Sequence, residues 1–433
     1  MNSGTGQGTT VEQRPRVLLL LPTNTYKAAD FLAAADHLGV EAIVGSDQPQ
    51  ALEDITPGRT MTLEMGDDAA AARRIAWFAK GRPLAAVIPT DDRTAVIAAR
   101  ASELLGLPHN PFDAAIAARR KDRLRGRLQA LEVRTPRARV ASCVPSPTDE
   151  ALRADAEAGR YPCVLKPLAL SASRGVIRAD DITQYAAAFR RIEALYQRPD
   201  VIEKTKAETR IGILVEEYVD GQEVALEGIV SKGSLRTLAI FDKPDALTGP
   251  YFEETIYVTP SRLGASDQKA IEATVAAGAK ALGLVEGPVH AELRLQPGGA
   301  PWLIELAARS IGGLCARVLR FGSGLSLEQV VLMHALGRDI DSVERERRPA
   351  AVMMLPIPRS GRLVAVGGLD EARAVPGVEE ITITATIGQP VEALPEGSAY
   401  LGFVFARADT PAEAEAALRA AHARLDIRIE PIA

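Results

Sequence analysis

The sequence predicts a multidomain protein of mixed α/β and α+β class, and three patterns support that prediction. Apolar runs and helical stretches alternate up to residue 107, which is typical of an open parallel α/β sheet. Residues 289–306 have the pattern of two strands joined by a turn. From residue 350 onward, short strands precede a single alanine-rich helix. With 433 residues, the chain is long enough for two or three domains with sizeable cores.

The N-terminal sheet is predicted to be parallel because its apolar runs are continuous rather than alternating. The first run is Val17-Leu18-Leu19-Leu20-Leu21, which Pro22 ends. Further elements are predicted as helices near residues 28–38 and 69–78 and strands at 41–44 and 84–88. The sequence has no GxGxxG motif, so a dinucleotide is not indicated.

Thr90-Asp91-Asp92 follows the last of these strands, at the carboxyl end where open α/β sheets bind ligands. The simpler interpretation is that the aspartates cap the next helix. We favour capping for at least one of them.

The strand pair at residues 289–306 places two carboxylates in apolar surroundings. Apolar residues alternate with His290, Glu292 and Arg294, and a Gln-Pro-Gly-Gly turn leads to a short apolar strand that contains Glu305. Mg²⁺ takes one or two protein carboxylates and fills its other positions with water and phosphates. The alternative is that both acids lie on the solvated face of an edge hairpin. On the pair alone, both interpretations stay open.

Arg309 and the glycines after it favour the metal interpretation. A guanidinium offers a planar fork for phosphate or carboxylate. Gly312 and Gly313 let backbone N–H groups approach an anion closely.

A strand of small apolar residues, 161–165, delivers Lys166 to a loop at residues 171–176. The loop contains Ser173, Arg174 and Gly175, which is the composition of a phosphate clamp. A surface lysine at a strand end is the alternative. Further upstream, Lys121 opens a predicted helix that runs to residue 131, although a basic cluster alone is usually a solvated helix end.

Residues 241–261 are rich in proline, glycine and acids and are predicted to be loops and strands bordering a cleft. Lys243 is either a phosphate contact or a surface lysine. Further C-terminal elements are predicted as a helix near residues 326–336, strands at 352–355, 380–386, 400–407 and 426–430, and a helix at 411–425.

Composition excludes several classes of protein. The 51 basic and 56 acidic residues give a net charge of −5, which is no electrostatic footprint for nucleic acid. Apolar runs stay shorter than the roughly 18 residues of a membrane span, and residues 1–15 are predicted to be a disordered lead-in rather than a signal peptide. Cys143, Cys163 and Cys315 lie far apart without a CxxC motif, which fits a reducing cytosol and gives no indication of zinc. We expect a cytoplasmic protein.

The pattern of Glu292, Glu305, Arg309 and the two glycines resembles the metal-binding end of the ATP-grasp superfamily, especially its carboxylate–amine ligase branch. That branch is similar to L-amino-acid ligases, and the C-terminal part resembles biotin-carboxylase-like proteins. The resemblance implies a two-lobed ATP-grasp core. The predicted units are a disordered N-terminus at 1–15, an N-terminal α/β domain at 16–110, the core at 111–345 with a small lobe at 140–215, and a C-terminal α+β domain at 346–433.

The resemblance also implies roles for individual residues. Glu292 and Glu305 would hold Mg²⁺ or Mn²⁺, with Arg309 steadying an acyl phosphate as the third catalytic residue. The predicted ATP contacts are Lys121, Lys166, Ser173, Arg174, Gly175, Glu216, Glu217, Tyr218, Val219 and Glu223. The predicted substrate contacts are Glu254, Tyr257, His290, Gly312 and Gly313. Within these sets, the backbone from Glu216 to Val219 would meet adenine and Glu223 the ribose.

Two departures from the family pattern leave details open. Ala307 stands where many relatives have an asparagine as a further metal ligand, so the number of metal ions is open. Tyr257 replaces a histidine in the substrate-contacting segment, so the substrate is open as well.

The resemblance implies an ATP-dependent carboxylate–amine or carboxylate–thiol ligase that acts through an acyl phosphate and releases ADP and phosphate. Its partners would be small-molecule carboxylate and amine substrates, with no nucleic acid and no membrane, and a homodimer stays open. The alternatives are a bicarbonate- or formate-activating relative and a nucleotide-binding module without catalysis.

Overall fold

The computed structural model describes residues 14–23, 25–49, 58–206 and 209–432. Most of the predicted disordered lead-in, residues 1–13, lies outside these ranges. The mixed α/β class is confirmed, and the helices and strands form three larger sheets around one cleft.

The N-terminal sheet is parallel, as predicted, with the strand order β3-β2-β1-β4. The central strand is buried on both faces, which explains its continuous apolar sequence. Thr60–Thr62 adds an edge strand that the sequence pattern did not predict. The elements are β1 (Arg16–Leu20), α1 (Ala28–His37), β2 (Glu41–Ser46), β3 (Thr60–Thr62), α2 (Asp68–Ala79), β4 (Ala86–Pro89) and α3 (Asp92–Leu105).

The second sheet is antiparallel, with the order β5-β8-β6-β7, and helices α6 and α7 share its apolar core. Two short helices connect it to the N-terminal sheet. In chain order these elements are α4 (Phe112–Arg119), α5 (Lys121–Ala130), β5 (Ala138–Ser142), α6 (Asp149–Glu157), β6 (Cys163–Pro167), β7 (Ile177–Ala179), α7 (Ile182–Tyr196), α8 (Pro199–Lys204) and β8 (Gly212–Glu217).

The largest sheet has eight strands in the order β13-β12-β9-β10-β11-β16-β20-β18. The predicted strand pair lies at one edge of this sheet. β12 and β13 pair in antiparallel register, with Glu292 opposite Glu305. The remaining elements are β9 (Gln222–Ser231), β10 (Ser234–Asp242), β11 (Ile256–Thr259), α9 (Ala265–Leu282), β12 (Glu286–Leu295), β13 (Trp302–Ala307), a 3-10 helix (Cys315–Val318), β14 (Arg320–Phe321), β15 (Leu325–Ser326), α10 (Leu327–Ala335), β16 (Ala350–Leu355), β17 (Gly361–Gly367), α11 (Leu369–Arg373), β18 (Val378–Ile383), β19 (Pro390–Val391), β20 (Gly402–Arg407), α12 (Pro411–His422) and β21 (Asp426–Glu430).

The C-terminal strands continue the central sheet. β16 pairs with β11, and β20 and β18 follow it, so the C-terminal segment extends the sheet that carries β12. A small sheet, β19-β17-β21, lies beside it, and α12 packs on β16 and β20. The predicted residue boundaries between domains stay a prediction. In the described part of the chain, the search for helices long and apolar enough to cross a membrane found none.

Candidate functional site

One large cleft lies where the three sheets meet. Its volume is about 400 Å³, which is within the usual range for a ligand site. The N-terminal α/β region contributes Lys27 and Asp92, the sheet β5-β8-β6-β7 contributes Lys166 and the loop after it, and the eight-stranded sheet contributes the face that carries Glu292. With one exception, every residue predicted to contact metal, nucleotide or substrate lines this cleft.

Gly175 is the exception, because it packs away from the cleft. Its φ is +72°, and a Cβ there would lie 2.6 Å from Cγ of Pro167 and 2.9 Å from a methyl group of Leu195. The glycine is therefore required by backbone conformation and close packing, and a contact with ATP stays a prediction.

The floor of the cleft is one face of β12. Val289, Ala291 and Leu293 point into the apolar core, and His290, Glu292 and Arg294 point into the cleft. The predicted alternation is confirmed, but this polar face is not simply solvated, because His290 and Arg294 are 5% and 4% exposed. His290 and Arg294 are buried and Glu292 is partly buried, so each of these groups needs a partner when it is charged.

Lys243 supplies the positive charge for this floor. Its Nζ lies 2.8 Å from Glu223 Oε1 and 3.3 Å from Glu292 Oε1, and it also donates to Glu254. It is 4% exposed, so the surface-lysine alternative is wrong. Arg294 binds the other oxygen of Glu223 at 2.9 Å. Both oxygens of the predicted ribose contact thus already accept from cations, with one lone pair each left for a hydroxyl.

The two acids beside Lys243 have opposite pKa shifts. Burial and the nearby Glu292 raise the pKa of Glu254 to about 7. Burial opposes ionisation of Glu292 as well, but Lys243 and His290 outweigh it and hold the pKa of Glu292 well below its usual value. The pair therefore keeps its negative charge on Glu292 and takes up a proton at Glu254.

Glu227 orients His290 from below the floor. This glutamate is 0% exposed, accepts the backbone N–H of Ile311, and lies 3.1 Å from Nδ1 of His290. Nε2 of His290 lies 3.8 Å from Glu292. Burial opposes the charged form, yet the hydrogen bonds to Glu227 and Glu292 raise the pKa of His290. The sequence analysis did not predict Glu227, which lies in a continuous buried strand.

Arg309 is held by the N-terminal domain. Its Nε donates to Asp92 at 3.1 Å, and Asp92 accepts a second hydrogen bond from the hydroxyl of Ser171 at 2.8 Å. Although burial opposes it, these partners lower the pKa of Asp92. Asp91 caps α3 as predicted, with its side chain accepting from the N–H of Thr94. Of the two neighbouring aspartates, Asp91 therefore caps the helix, while Asp92 lines the cleft and pairs with Arg309.

Lys27 is a second cation in this part of the cleft. It is 5% exposed and donates to the carbonyl and hydroxyl of Ser310 at 3.1 and 3.0 Å. Burial, assisted by Arg309, lowers its pKa to about 8. The sequence analysis missed this residue because it lies in a short loop between β1 and α1 with no distinctive motif.

The predicted phosphate clamp lies over the opposite wall. Lys166 pairs with Glu216 at 2.7 Å, and Lys121 donates to the carbonyl of Leu170 at 2.7 Å. In the loop that follows Lys166, Ala172 and Ser173 have φ values of 57° and 54°. Residues other than glycine rarely adopt this left-handed backbone conformation, and those that do often lie in functional loops.

Arg174 in the same loop has partners outside the cleft. It lies 2.7 Å from Asp200 and donates to the carbonyl of Glu396 at 2.7 Å. A phosphate contact by this guanidinium, as predicted, would require these two interactions to break.

The predicted adenine segment keeps part of its backbone for the fold. The N–H groups of Glu217 and Tyr218 donate to the carbonyls of Arg137 and Pro162, and the carbonyl of Val219 accepts from Arg294 at 2.8 Å. The side chain of Glu216 is 2% exposed and neutralised by Lys166 and Arg125. These groups limit which backbone atoms are left to contact a base.

The predicted substrate contacts surround the Lys243 cluster. Tyr257 is 2% exposed, and Nζ of Lys243 lies 5.0 Å from the centre of its ring. Burial raises the pKa of Tyr257 well above its usual value, so the phenol stays protonated. Gly313 has a φ of +59°, and a Cβ there would lie 2.8 Å from Phe403, whereas a Cβ on Gly312 would meet open space.

The chain matches three family models. Residues 159–318 match the ATP-grasp domain, residues 32–109 match the ATP-grasp N-terminal domain, and residues 353–430 match the L-amino acid ligase C-terminal domain 2.

Known proteins resemble the chain in sequence and in fold. An alanine–anticapsin ligase of Bacillus subtilis (strain 168) is 28% identical over 256 residues, which cover 56% of this chain and 52% of the relative. The chain thus spans about half the length of the curated relatives it matches. A crystal structure of an L-amino acid ligase from Bacillus licheniformis matches with a TM-score of 0.81 and 27% identity, covering 96% of this chain and 99% of that one.

A phosphoribosylglycinamide synthetase from Anaerococcus prevotii shares the fold. Its TM-score is 0.67 at 16% identity, over 96% of this chain and 100% of that chain. Together with the three family models, these similarities show that the chain belongs to the ATP-grasp superfamily.

Proposed function

We propose that this protein is an ATP-dependent carboxylate–amine ligase that joins amino acids through an acyl phosphate. The observation that carries the proposal is the meeting of Glu292, Glu305 and Arg309 with Lys166 around one cleft. Two facing carboxylates, a guanidinium and a buried lysine suit phosphoryl transfer, which depends mainly on positioning and charge neutralisation.

The proposed reaction has two steps. A carboxylate oxygen of the first substrate attacks the γ-phosphorus of ATP, and the bond from that phosphorus to ADP breaks. The amine of the second substrate then attacks the acyl carbon, the bond from this carbon to the phosphate oxygen breaks, and the proton that the amine loses passes to a base, for which Glu254 is the candidate. Lys121 and Lys166 would neutralise nucleotide phosphates, and Arg309 would hold the acyl phosphate through its planar fork.

The donor set fits a hard divalent cation. Glu292 and Glu305 lie opposite each other on β12 and β13, and like charges in this position destabilise a sheet unless a cation lies near them. Mg²⁺, when bound by these carboxylates, would offset negative charge on the phosphates. Glu223 and Glu254 offer further oxygens within 4.8 Å of those of Glu292. They are candidates for the further metal ligand that many relatives supply with an asparagine at the position of Ala307.

The chemistry around Lys243 supports amino acids as substrates. Glu254, with a pKa of about 7, can accept a hydrogen bond from an ammonium or take a proton from it near neutral pH. Arg309 and Lys27 also line the cleft and provide positive charge for a carboxylate. The similarity to an L-amino acid ligase and to an alanine–anticapsin ligase supports the same substrate class.

A covalent intermediate on cysteine is not needed for this mechanism. Burial raises the pKa of Cys143 and of Cys163 to about 11 and that of Cys315 further still. All three thiols therefore stay protonated near neutral pH, and a protonated thiol is a poor nucleophile.

A phosphate-release screen tests the proposal. Purified protein is incubated with ATP, Mg²⁺ and pairs of amino acids, and products are identified by mass spectrometry. We expect phosphate release that requires both amino acids and yields a dipeptide, with Glu305→Gln as the inactive control. Release stimulated by bicarbonate or formate instead would favour the one-carbon alternative. ATP binding without any stimulated release would favour a module without catalysis.

A further inference from the structure

Lys243 occupies the place among the carboxylates where a cation would be expected. Its ammonium contacts Glu223, Glu254 and Glu292, and the ligand oxygens of these three residues lie within 4.8 Å of one another. Three carboxylates at this spacing are also what a hard metal ion selects. An ammonium and a divalent cation would therefore compete for the same oxygens.

Lys243 is the main cation that neutralises this group of carboxylates. Glu223 has a second cation, Arg294, which is itself fixed by the carbonyl of Val219 at 2.8 Å, and Glu292 has His290 at 3.8 Å. Lys243 is the cation that Glu254 and Glu292 share. Lys243 and Arg294 together place two positive charges among these carboxylates, so little net negative charge is left to attract a free divalent ion.

We propose that Lys243 stands in for a metal ion in the nucleotide-free cleft and keeps the carboxylates closed to free cations until nucleotide phosphates arrive. This inference rests on the proposed use of ATP by the same cleft. Lys243 is a positioning residue in this account, because it acts through Glu292 and Glu254.

The geometry shows which contact the lysine gives up. Its backbone N–H is anchored to the carbonyl of Glu223 at 3.2 Å, and its Nζ contact with Glu223 is 2.8 Å. The contact with Glu292, at 3.3 Å, is longer and weaker. Lys243 can thus release Glu292 to a metal and stay bound to Glu223. Phosphate oxygens would supply the remaining ligands, which couples entry of the metal to entry of the nucleotide.

The test measures Mn²⁺ alone binding to full-length protein without nucleotide, by electron paramagnetic resonance titration. We expect Lys243→Met to bind one Mn²⁺ at least ~10-fold more tightly than the wild type, because a unit of positive charge beside the ion is removed. Lys269→Met, which removes an exposed lysine on α9, should match the wild type. Adding Glu292→Gln to Lys243→Met should remove the gain.

Mn²⁺ binding by Lys243→Met that is no tighter than in the wild type would overturn the proposal, and so would a gain that survives Glu292→Gln. Circular dichroism shows whether the variant folds. If it does not, Lys243→Gln removes the charge but keeps a hydrogen-bond donor for the carboxylates, and the same comparison is made with that variant. It should still bind Mn²⁺ more tightly than the wild type, and equal binding would contradict the inference.

A further arm separates this inference from the function on which it rests. The wild type is titrated with Mn²⁺ in the presence and absence of a non-hydrolysable ATP analogue. Tight binding only with the analogue supports both. No binding with the analogue would contradict the proposed use of ATP, while the comparison of nucleotide-free variants would still decide the role of Lys243.

Discussion

Strands β12 and β16 belong to the same sheet and have neighbours on both sides, but they use their two faces differently. β12 is apolar on one face and carries His290, Glu292 and Arg294 on the other. β16 has the sequence AAVMML and is buried and apolar on both faces.

The two strands contribute differently to the protein: β12 carries the charged groups of the cleft, whereas β16 contributes apolar packing. Ionised groups are costly to bury, so a strand that contributes no polar group to the cleft does better with apolar side chains on both faces. On β12, every buried charge has a partner: Lys243 for Glu292, Glu223 for Arg294 and Glu227 for His290. We therefore expect substitutions on the cleft face to affect turnover and substitutions on β16 to affect folding.

The largest expected effect is loss of turnover in Glu305→Gln and in Arg309→Lys. The first keeps the shape and removes a charge that would face the metal. The second keeps the charge and removes the planar fork. We expect each to lower phosphate release by more than ~100-fold, the scale of losing one group that stabilises transition-state charge.

Melting temperature provides the control for this pair. Glu305 is half-buried on the edge strand, so its neutralisation should change stability by less than about 1 kcal/mol. Near-native phosphate release in both variants would contradict the proposed role of the β12–β13 edge.

Leu355→Ala should have the opposite profile. Leu355 ends β16, is 0% exposed and belongs to the apolar core that includes Val404 and Leu418. Truncation should lower the free energy of unfolding by about 2–5 kcal/mol, while ATP affinity stays unchanged. Urea unfolding and calorimetry at a temperature where the variant is folded measure the two effects. Weakened ATP binding in the folded variant would contradict the expected separation between ligand binding at β12 and folding stability at β16.

A smaller effect is expected in the pH dependence of stability at Lys27. Its pKa is lowered from 10.5 to about 8, mainly by burial. The folded protein therefore loses this proton at a lower pH than the unfolded chain does, and this residue makes folding more favourable as the pH rises through that window.

Lys27→Met removes this contribution. The wild-type advantage over the variant should increase between pH 8 and 10.5, by at most about 3 kcal/mol. Urea unfolding at several pH values measures it, with the exposed Lys269→Met as the matched control. A difference that does not change with pH would show that Lys27 is charged throughout.

The smallest effect is expected from replacing Cys143, Cys163 and Cys315 by serine together. The raised pKa values leave the thiols protonated and without a role in the chemistry. Phosphate release should stay within about twofold of the wild type, because no thiol takes part in the proposed chemistry and serine is close to cysteine in size. A folded but inactive triple variant would contradict this expectation.

The sequence was sufficient for features that depend on near neighbours. Alternation predicted β12 and β13, a continuous apolar run predicted β1, and the capping preference of aspartate predicted Asp91. The site residues that the family resemblance implies line one cleft in the structure, with Gly175 as the exception.

The remaining features depend on contacts between distant parts of the chain. Asp92 and Arg309 are 217 residues apart, and Lys27 and Ser310 are 283 residues apart. No local pattern indicates such pairs. The same reason explains why Lys243 was left undecided and why β16, β18 and β20 were not expected to continue the sheet of β12. Strand order across a sheet is set by tertiary packing rather than by local periodicity.

The acyl phosphate is the intermediate on which the proposed reaction depends, and oxygen-18 transfer from the carboxylate to phosphate detects its formation. The first amino acid is labelled in both carboxylate oxygens and incubated with the protein, ATP, Mg²⁺ and the second amino acid. The account predicts that each phosphate released carries one labelled oxygen, because the carboxylate oxygen that attacks phosphorus leaves with it. Product formation with unlabelled phosphate would contradict the account.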